Sequence, residues 1–465
     1  MSLIKLAGRR GAVALLAGAV GLALALTGCS GSPTVNTTPT GIIVDTASHE
    51  PTTVTVWSFV TLPNEVKSMQ DSMDRLQKTY PWLNVQLVNN KMDEDFTQAV
   101  TAGTAPDVFI SWDPGSVAQF CTNGSVIDMS AMVKASNLDV TAMFPSSSLN
   151  YTQYQGKQCA LPLLVDAYGL YYNTDMFTKA GITAPPKTLS ELFTDVQKLT
   201  IKDAKGNITQ WGMTPPRSDF DVQSQWFTGG GTGAQFYDSN MQTTFGTDPT
   251  WQELLNWQKQ VLDFFGKANV DKFVATYQDS TDGPGSPFYE GVTAMDMNGE
   301  WHIGELDGVP GDSENPATKV NWDIAPVPVP DSHANVYGAG AVMGNVIYVS
   351  SQSKVQDAAY FVAQQLATDT AFVTDFATQM SNVPTTFDAL KSWTAPNTQP
   401  KWKTMMDIVS NPNSYNKANT PAGSEDGDAW GTFIQNWEQG KVPDLQAGLS
   451  QLDQTITQLN AEAAP

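Results

Sequence analysis

A change of hydrophobic period, repeated along residues 52–111, constrains this chain more than any other feature. Thr53-Val54-Thr55-Val56-Trp57 alternates with period two, as a half-buried strand does. Residues 65–79 then place Val66, Met69, Met73 and Leu76 at helical spacing. Tyr80-Pro81 stops that run, because the residue before proline is held out of the helical region. A second strand is expected over 84–88, a second helix over 94–101 and a short apolar strand over 107–111. Strand, helix, strand at this spacing means βαβ units and a parallel sheet, since parallel neighbours need a crossover. The pattern returns with a strand over 169–172 and a helix through Leu192, Val196 and Leu199. The latter is opened by the capping box Thr188-Leu189-Ser190-Glu191. Further strands are expected over 321–325 and 346–349, and a helix over 355–366.

About 415 residues of such pattern exceed what one core holds, so two α/β lobes are expected. In open parallel sheets, ligands sit beyond the carboxyl ends of the strands. Trp57 closes the first strand and Trp112-Asp113 closes the third, so two indoles and a carboxylate face one crevice.

The N-terminus has a different character. Lys5, Arg9 and Arg10 precede a charge-free apolar run over 11–26, about sixteen residues, short of the roughly 20 of a spanning helix. A basic segment followed by a short apolar one reads as a secretory signal over 1–28. It ends in Leu26-Thr27-Gly28-Cys29, which resembles the lipobox of bacterial lipoproteins, where the cysteine becomes the first mature residue and carries lipid on its sulfur. Residues 29–51, rich in Ser, Thr, Pro and Gly, read as a flexible tether. The expected location is the extracytoplasmic face of a bacterial cell membrane.

Losing residues 1–28 removes three basic residues and moves the formal charge from −22 to −25. So acidic a surface repels nucleic acid and anionic headgroups. Cys121 and Cys159 remain, either as a disulfide, the usual fate of an even pair in an exported protein, or as two buried thiols. The histidines, His49, His302 and His333, have no ligand spacing, so neither metal nor cofactor is expected.

A sugar has an apolar ring face and a rim of hydroxyls, and its site calls for aromatic planes beside carboxylates and amides. Trp57, Trp112, Asp113 and Asp166 fit that chemistry. Trp211, Trp226, Trp251 and Trp257 fit a core better.

Several blocks, in order, resemble the family 1 extracellular solute-binding proteins, relatives of maltose-binding protein. They are Ala102-Gly103-Thr104-Ala105-Pro106-Asp107-Val108, Gly156-Lys157-Gln158-Cys159-Ala160-Leu161-Pro162, Gly169-Leu170-Tyr171-Tyr172-Asn173 and Ala294-Met295-Asp296-Met297-Asn298-Gly299-Glu300-Trp301. Residues 52–450 carry the resemblance. It implies a two-lobed periplasmic-binding-protein-like fold, each lobe a mainly parallel sheet flanked by helices, with a ligand cleft between. The lobes would be 52–166 plus 330–384 and 167–329 plus 385–465. It implies a monomeric carbohydrate receptor delivering an oligosaccharide to the permease subunits of an ABC importer. By the same likeness Trp112, Asp113, Asp166, Asn298, Trp301, Tyr337, Gly338 and Trp430 are ligand-binding.

The chain departs from the family where Cys159 replaces an aromatic residue, and where the stretch 225–233 lacks an asparagine. A basic residue for an anionic ligand is supplied only by Lys157 and Arg217. A glycoside hydrolase also combines Trp with carboxylates in a cleft. A carbohydrate-binding surface protein, or a binder of another polar solute, shares much of the pattern. The anchor is directly testable: Cys29→Ala is expected to move the protein from the membrane to the soluble fraction, read by fractionation and by loss of radiolabelled palmitate.

Overall fold

The computed structural model describes residues 49–218, 233–278, 280, 282–308, 316–423 and 425–463. The signal over 1–28, Cys29, most of the tether, Trp226 and residues 225–232 lie outside them. Eight strands form two sheets joined through one shared strand: β1 (Thr52–Ser58), β2 (Leu83–Val88), β3 (Val108–Ser111), β4 (Leu161–Asn173), β5 (Met295–Gly299), β6 (Trp322–Pro326), β7 (Val342–Val349) and β8 (Val383–Pro384). The fold is two-lobed and α/β. The expected βαβαβ opening is present, with β1 parallel to both β2 and β3. Its connecting helices are Pro63–Thr79, which buries Met69, Met73 and Leu76 of the face read from the sequence, and Asp93–Ala102, which buries Phe96 and Ala99.

β4 organises the rest. Its first half pairs antiparallel with β7 and β8, with Ala167 opposite Val342 and Val165 opposite Val383. From Tyr168 onward its partners are β5 and β6, with Tyr168 opposite Gly299 and Gly169 opposite Pro326. One thirteen-residue strand therefore belongs to two sheets and changes allegiance between Ala167 and Tyr168. Its near-continuous run of apolar and aromatic side chains fits a strand covered on both faces. In the sequence only 169–172 stands out as a strand, because Pro162 and Asp166 break the apolar run. The sheet is mixed, where the alternation predicts mainly parallel neighbours: β1–β3 keep that relation, and strands crossing between lobes return antiparallel.

Gly169 makes the second sheet possible. A β-carbon there would lie 2.8 Å from Ile324 Cγ2 and 3.2 Å from the Ala325 carbonyl oxygen. The helix Leu189–Leu199 begins at its expected cap, although Glu191 Oε2 accepts from the Lys187 N–H (2.7 Å), one residue early. Trp211, Trp251 and Trp257 are core residues, as their helical neighbours imply. Among the described residues no helix is long and apolar enough to cross a membrane.

The sulfurs of Cys121 and Cys159 are joined, tying the helix Val117–Thr122 to the approach of β4. Around the bond, Phe96, Phe109, Phe120 and Tyr348 form a small aromatic core. Replacing both cysteines by serine is expected to lower stability by about 2–4 kcal/mol through the freed unfolded chain, read as a lower denaturant midpoint with a steeper slope, since the unfolded chain then exposes more surface.

Candidate functional site

The carboxyl ends of β1 and β3 lie side by side, Ser58 opposite Ile110, so Trp57 and Trp112-Asp113 emerge at one edge. Trp57 is half-buried, with Lys91 Nζ 4.9 Å from its ring centroid. Trp112 is 54% exposed. Asp113 caps the following turn, accepting the Gly115 N–H at 2.7 Å. The Ser111 hydroxyl donates to Asp93 Oδ1 (2.6 Å) and accepts from the Asp113 backbone N–H (2.9 Å), so one serine ties the Asp93 carboxylate to the backbone of Asp113. Burial pushes Asp93 up to about 6 and raises Asp113, which Lys417 opposes. Asp93 is a site residue that the sequence conceals: an acid in a helix's first turn ordinarily serves the helix dipole.

At the point where β4 changes sheets, three segments are pinned together. The Asn382 amide donates to Asp166 Oδ1 and to Glu300 Oε1, the latter at 2.7 Å. Glu300 Oε2 accepts the Ala167 N–H, also at 2.7 Å. Burial pushes Asp166 up to about 6, and burial together with the Asp166 charge raises Glu300 well above the carboxylate range. Asp166, expected among the ligand-binding residues, stands at the crossing with an internal partner that no spacing rule announces.

Beyond β5, Trp301 opens the helix Trp301–Asp307 half-buried, edge-on to Tyr168 at 5.7 Å between centroids. Gly299 is required beside it, since a β-carbon would fall 2.1 Å from the Trp301 ring. Tyr337 is half-buried under Lys187 Nζ (5.8 Å from the centroid), and burial pushes its phenol up to about 12. Gly338 holds φ +104°, backbone that side chains resist.

Two expected ligand residues are corrected. Asn298 is 1% exposed; its amide donates to Asp282 Oδ1 (2.8 Å) and Asp296 Oδ2 (3.3 Å), and its carbonyl accepts the Gly299 N–H (2.8 Å). Trp430 is also 1% exposed, packed on Phe245, Trp251 and Phe433 with centroids 5.2, 5.0 and 5.9 Å away. Both side chains are spent on the protein interior.

The sequence also passes over the segment 411–423. Tyr415 pairs with Gly340 and Val342 through its backbone, and Asn419 Nδ2 donates to the carbonyls of Tyr151 (2.9 Å) and Gln153 (3.0 Å). Lys417 bonds the buried Asp426. Lys417, rather than Lys157 or Arg217, is the cation whose field reaches Asp113: Lys157 lies exposed on a hairpin, and Arg217 pairs with Glu438 at 3.5 Å. The fold also gathers Asp282, His302 and Glu305, with ligating atoms within 4.8 Å of one another, although His302 Nδ1 and Glu305 Oε2 already pair at 2.7 Å.

Residues 62–371, about two thirds of the chain, match the family described as bacterial extracellular solute-binding protein, and the chain belongs to it. It is 39% identical over 94 residues to a Deinococcus radiodurans protein named "Probable ABC transporter-binding protein". That stretch is 20% of each chain, so only a fifth of the curated relative's length is spanned. Among solved structures it is similar to CpMnBP1 with mannotriose bound (23% identity, TM-score 0.69, covering 86% of this chain and 98% of that one). It is also similar to the sugar-binding protein MalE of Xanthomonas citri (18% identity, TM-score 0.70, covering 88% and 98%). At these identities the likeness establishes the fold.

The clamp at the crossing has a pH signature. Asp166 holds its proton more tightly folded than unfolded, where it titrates near 3.9. Its contribution is therefore fully present below about pH 4 and lost as pH rises through about 6. Asp166→Asn, which keeps the oxygen facing Asn382, is expected to flatten stability between pH 4 and 6. It should also raise the melting temperature at pH 7, read by thermal denaturation across that range.

Proposed function

We propose that this member of the bacterial extracellular solute-binding protein family captures a carbohydrate, an oligosaccharide rather than a single sugar, between its lobes and hands it to an ABC permease. Trp112 carries the reading. An indole 54% exposed beside a carboxylate, at the carboxyl end of a strand, is a stacking surface for a sugar ring. Trp57 and Trp301, both half-buried, extend the aromatic supply on the two sides of the crossing, and Asp113 and Asp166 select hydroxyl geometry. Mannotriose bound in one structural neighbour, and the description of another as a sugar-binding protein, support that chemistry.

In this reading the lobes, 52–166 plus 330–384 and 167–329 plus 385–465, close about the crossing strands when ligand bridges them. The closed form is the one the permease recognises. The protein acts as a monomer, without cofactor, held to the outer face of the membrane by lipid on Cys29.

The rival reading is glycoside hydrolysis, for which the neighbouring carboxylates Asp93 and Asp113, both raised by burial and the first to about 6, would supply an acid and a base. Aryl glycosides separate the two: no turnover is expected, and turnover abolished by Asp113→Asn would overturn the binding reading. Trp112→Ala and Trp301→Ala are each expected to weaken oligosaccharide binding at least tenfold, about 1.4 kcal/mol, by calorimetry. Unchanged affinity in both would remove the aromatic cleft from the site.

A further inference from the structure

A cavity of about 610 Å³ lies apart from the strand ends just described. Its walls come from residues 150–155 ahead of β4, the loop 237–243, the segment 415–421, and the face of the helix Leu445–Ala463 that carries Thr457 and Asn460. None of Trp57, Trp112, Asp113, Asp166, Trp301 or Tyr337 lines it. We propose that this cavity is a second carbohydrate-binding site, selective for neutral sugars.

Its volume is that of a small-molecule site. The lining chemistry narrows the ligand. Tyr154, Tyr237 and Tyr415 present three rings, and Gln153, Asn416 and Asn419 stand among them as amides. Among the described residues no Asp, Glu, Lys, Arg or His lines the walls, in a chain with 47 acidic residues. The neighbouring charge is sealed off. Asp426 is buried and accepts from the Tyr237 hydroxyl (2.7 Å), the Thr420 hydroxyl (3.0 Å), the Gly427 N–H (2.7 Å) and Lys417. An ionic ligand would enter with no counter-charge, and an apolar one would offer no donor to the amide oxygens of Gln153, Asn416 and Asn419. A neutral, hydroxyl-rich ring satisfies both halves of the lining.

The cavity is also held in shape before any ligand arrives. Asn419 Nδ2 is fixed on the Tyr151 and Gln153 carbonyls, and Asn460 Nδ2 donates to the Tyr237 hydroxyl at 3.1 Å. Fixed walls spare the ordering cost of binding. Entry is open, since Asn150, Gln155, Gln242 and Thr457 are exposed at the rim while Tyr237, Asn416 and Thr420 are buried behind them.

The test is calorimetric titration of the purified full-length protein with mannotriose and, separately, maltotriose. Thr457→Trp fills the cavity from an exposed helix face, and Tyr154→Ala removes one ring. Each is expected to weaken a binding component at least tenfold while the unliganded melting temperature holds, and that component should persist in Trp301→Ala. Both cavity variants binding as the parent does would overturn the inference. If Trp301→Ala then abolishes binding, the cleft reading stands alone. Binding lost in the cavity variants and kept in Trp301→Ala supports the cavity and removes the cleft. A parent that binds neither sugar counts against both sites.

Discussion

The shared strand β4, and the hydrogen bonds that hold its change of sheet, are what the two lobes depend on. At that point the Ala167 N–H could pair with β7 on one side or with the turn after β5 on the other. Glu300 captures it, and Asn382 ties Glu300 to Asp166, so three distant segments meet on two carboxylates and one amide. Burying two acids together is costly unless a proton and further hydrogen bonds offset their repulsion. Their raised proton affinities are the mark of that compromise. A purely apolar crossing would pack as well and would leave the direction of the strand less strictly determined.

The parts of the fold legible in the sequence are those with a local period. β1, β2 and the connecting helices are readable because each buries one face and exposes the other, and β3, buried throughout, is readable as a short apolar run. β4 is not, for a strand covered on both sides has no alternation, and its proline and aspartate look like punctuation. The site divides the same way. Trp57, Trp112 and Asp113 follow from sheet topology, and Trp301 from a motif. Trp430 matches a cleft aromatic in sequence, yet burial is decided by Phe245 and Trp251, contributed by distant segments. Asn298 sits in the right motif with its amide already committed to Asp282 and Asp296. Asp93, Lys417 and Glu300 carry no local signal, since each is defined by its partners.

Asp426 plays a second organising part. It gathers Lys417 and Thr420 from one loop, Tyr237 from another and the N–H of Gly427, so the loops flanking the charge-free cavity are fixed by a charge that never reaches it. The same lysine lowers the cost of an ionised Asp113. A single buried carboxylate thereby couples the electrostatics of the strand-end groups to the geometry of a neighbouring wall.

The strand order has a bearing on how the chain is made. β7 lies between β3 and β4, yet it is encoded only at Val342–Val349, after more than half of the polypeptide. An emerging chain therefore holds β3 and β4 with a gap where the middle strand belongs, two rows of backbone donors and acceptors awaiting a partner. Closing that gap spans some of the longest sequence separations in the molecule, which places it among the slow steps of acquiring structure. An architecture whose first sheet cannot be completed early keeps the growing chain open until most of it has been made.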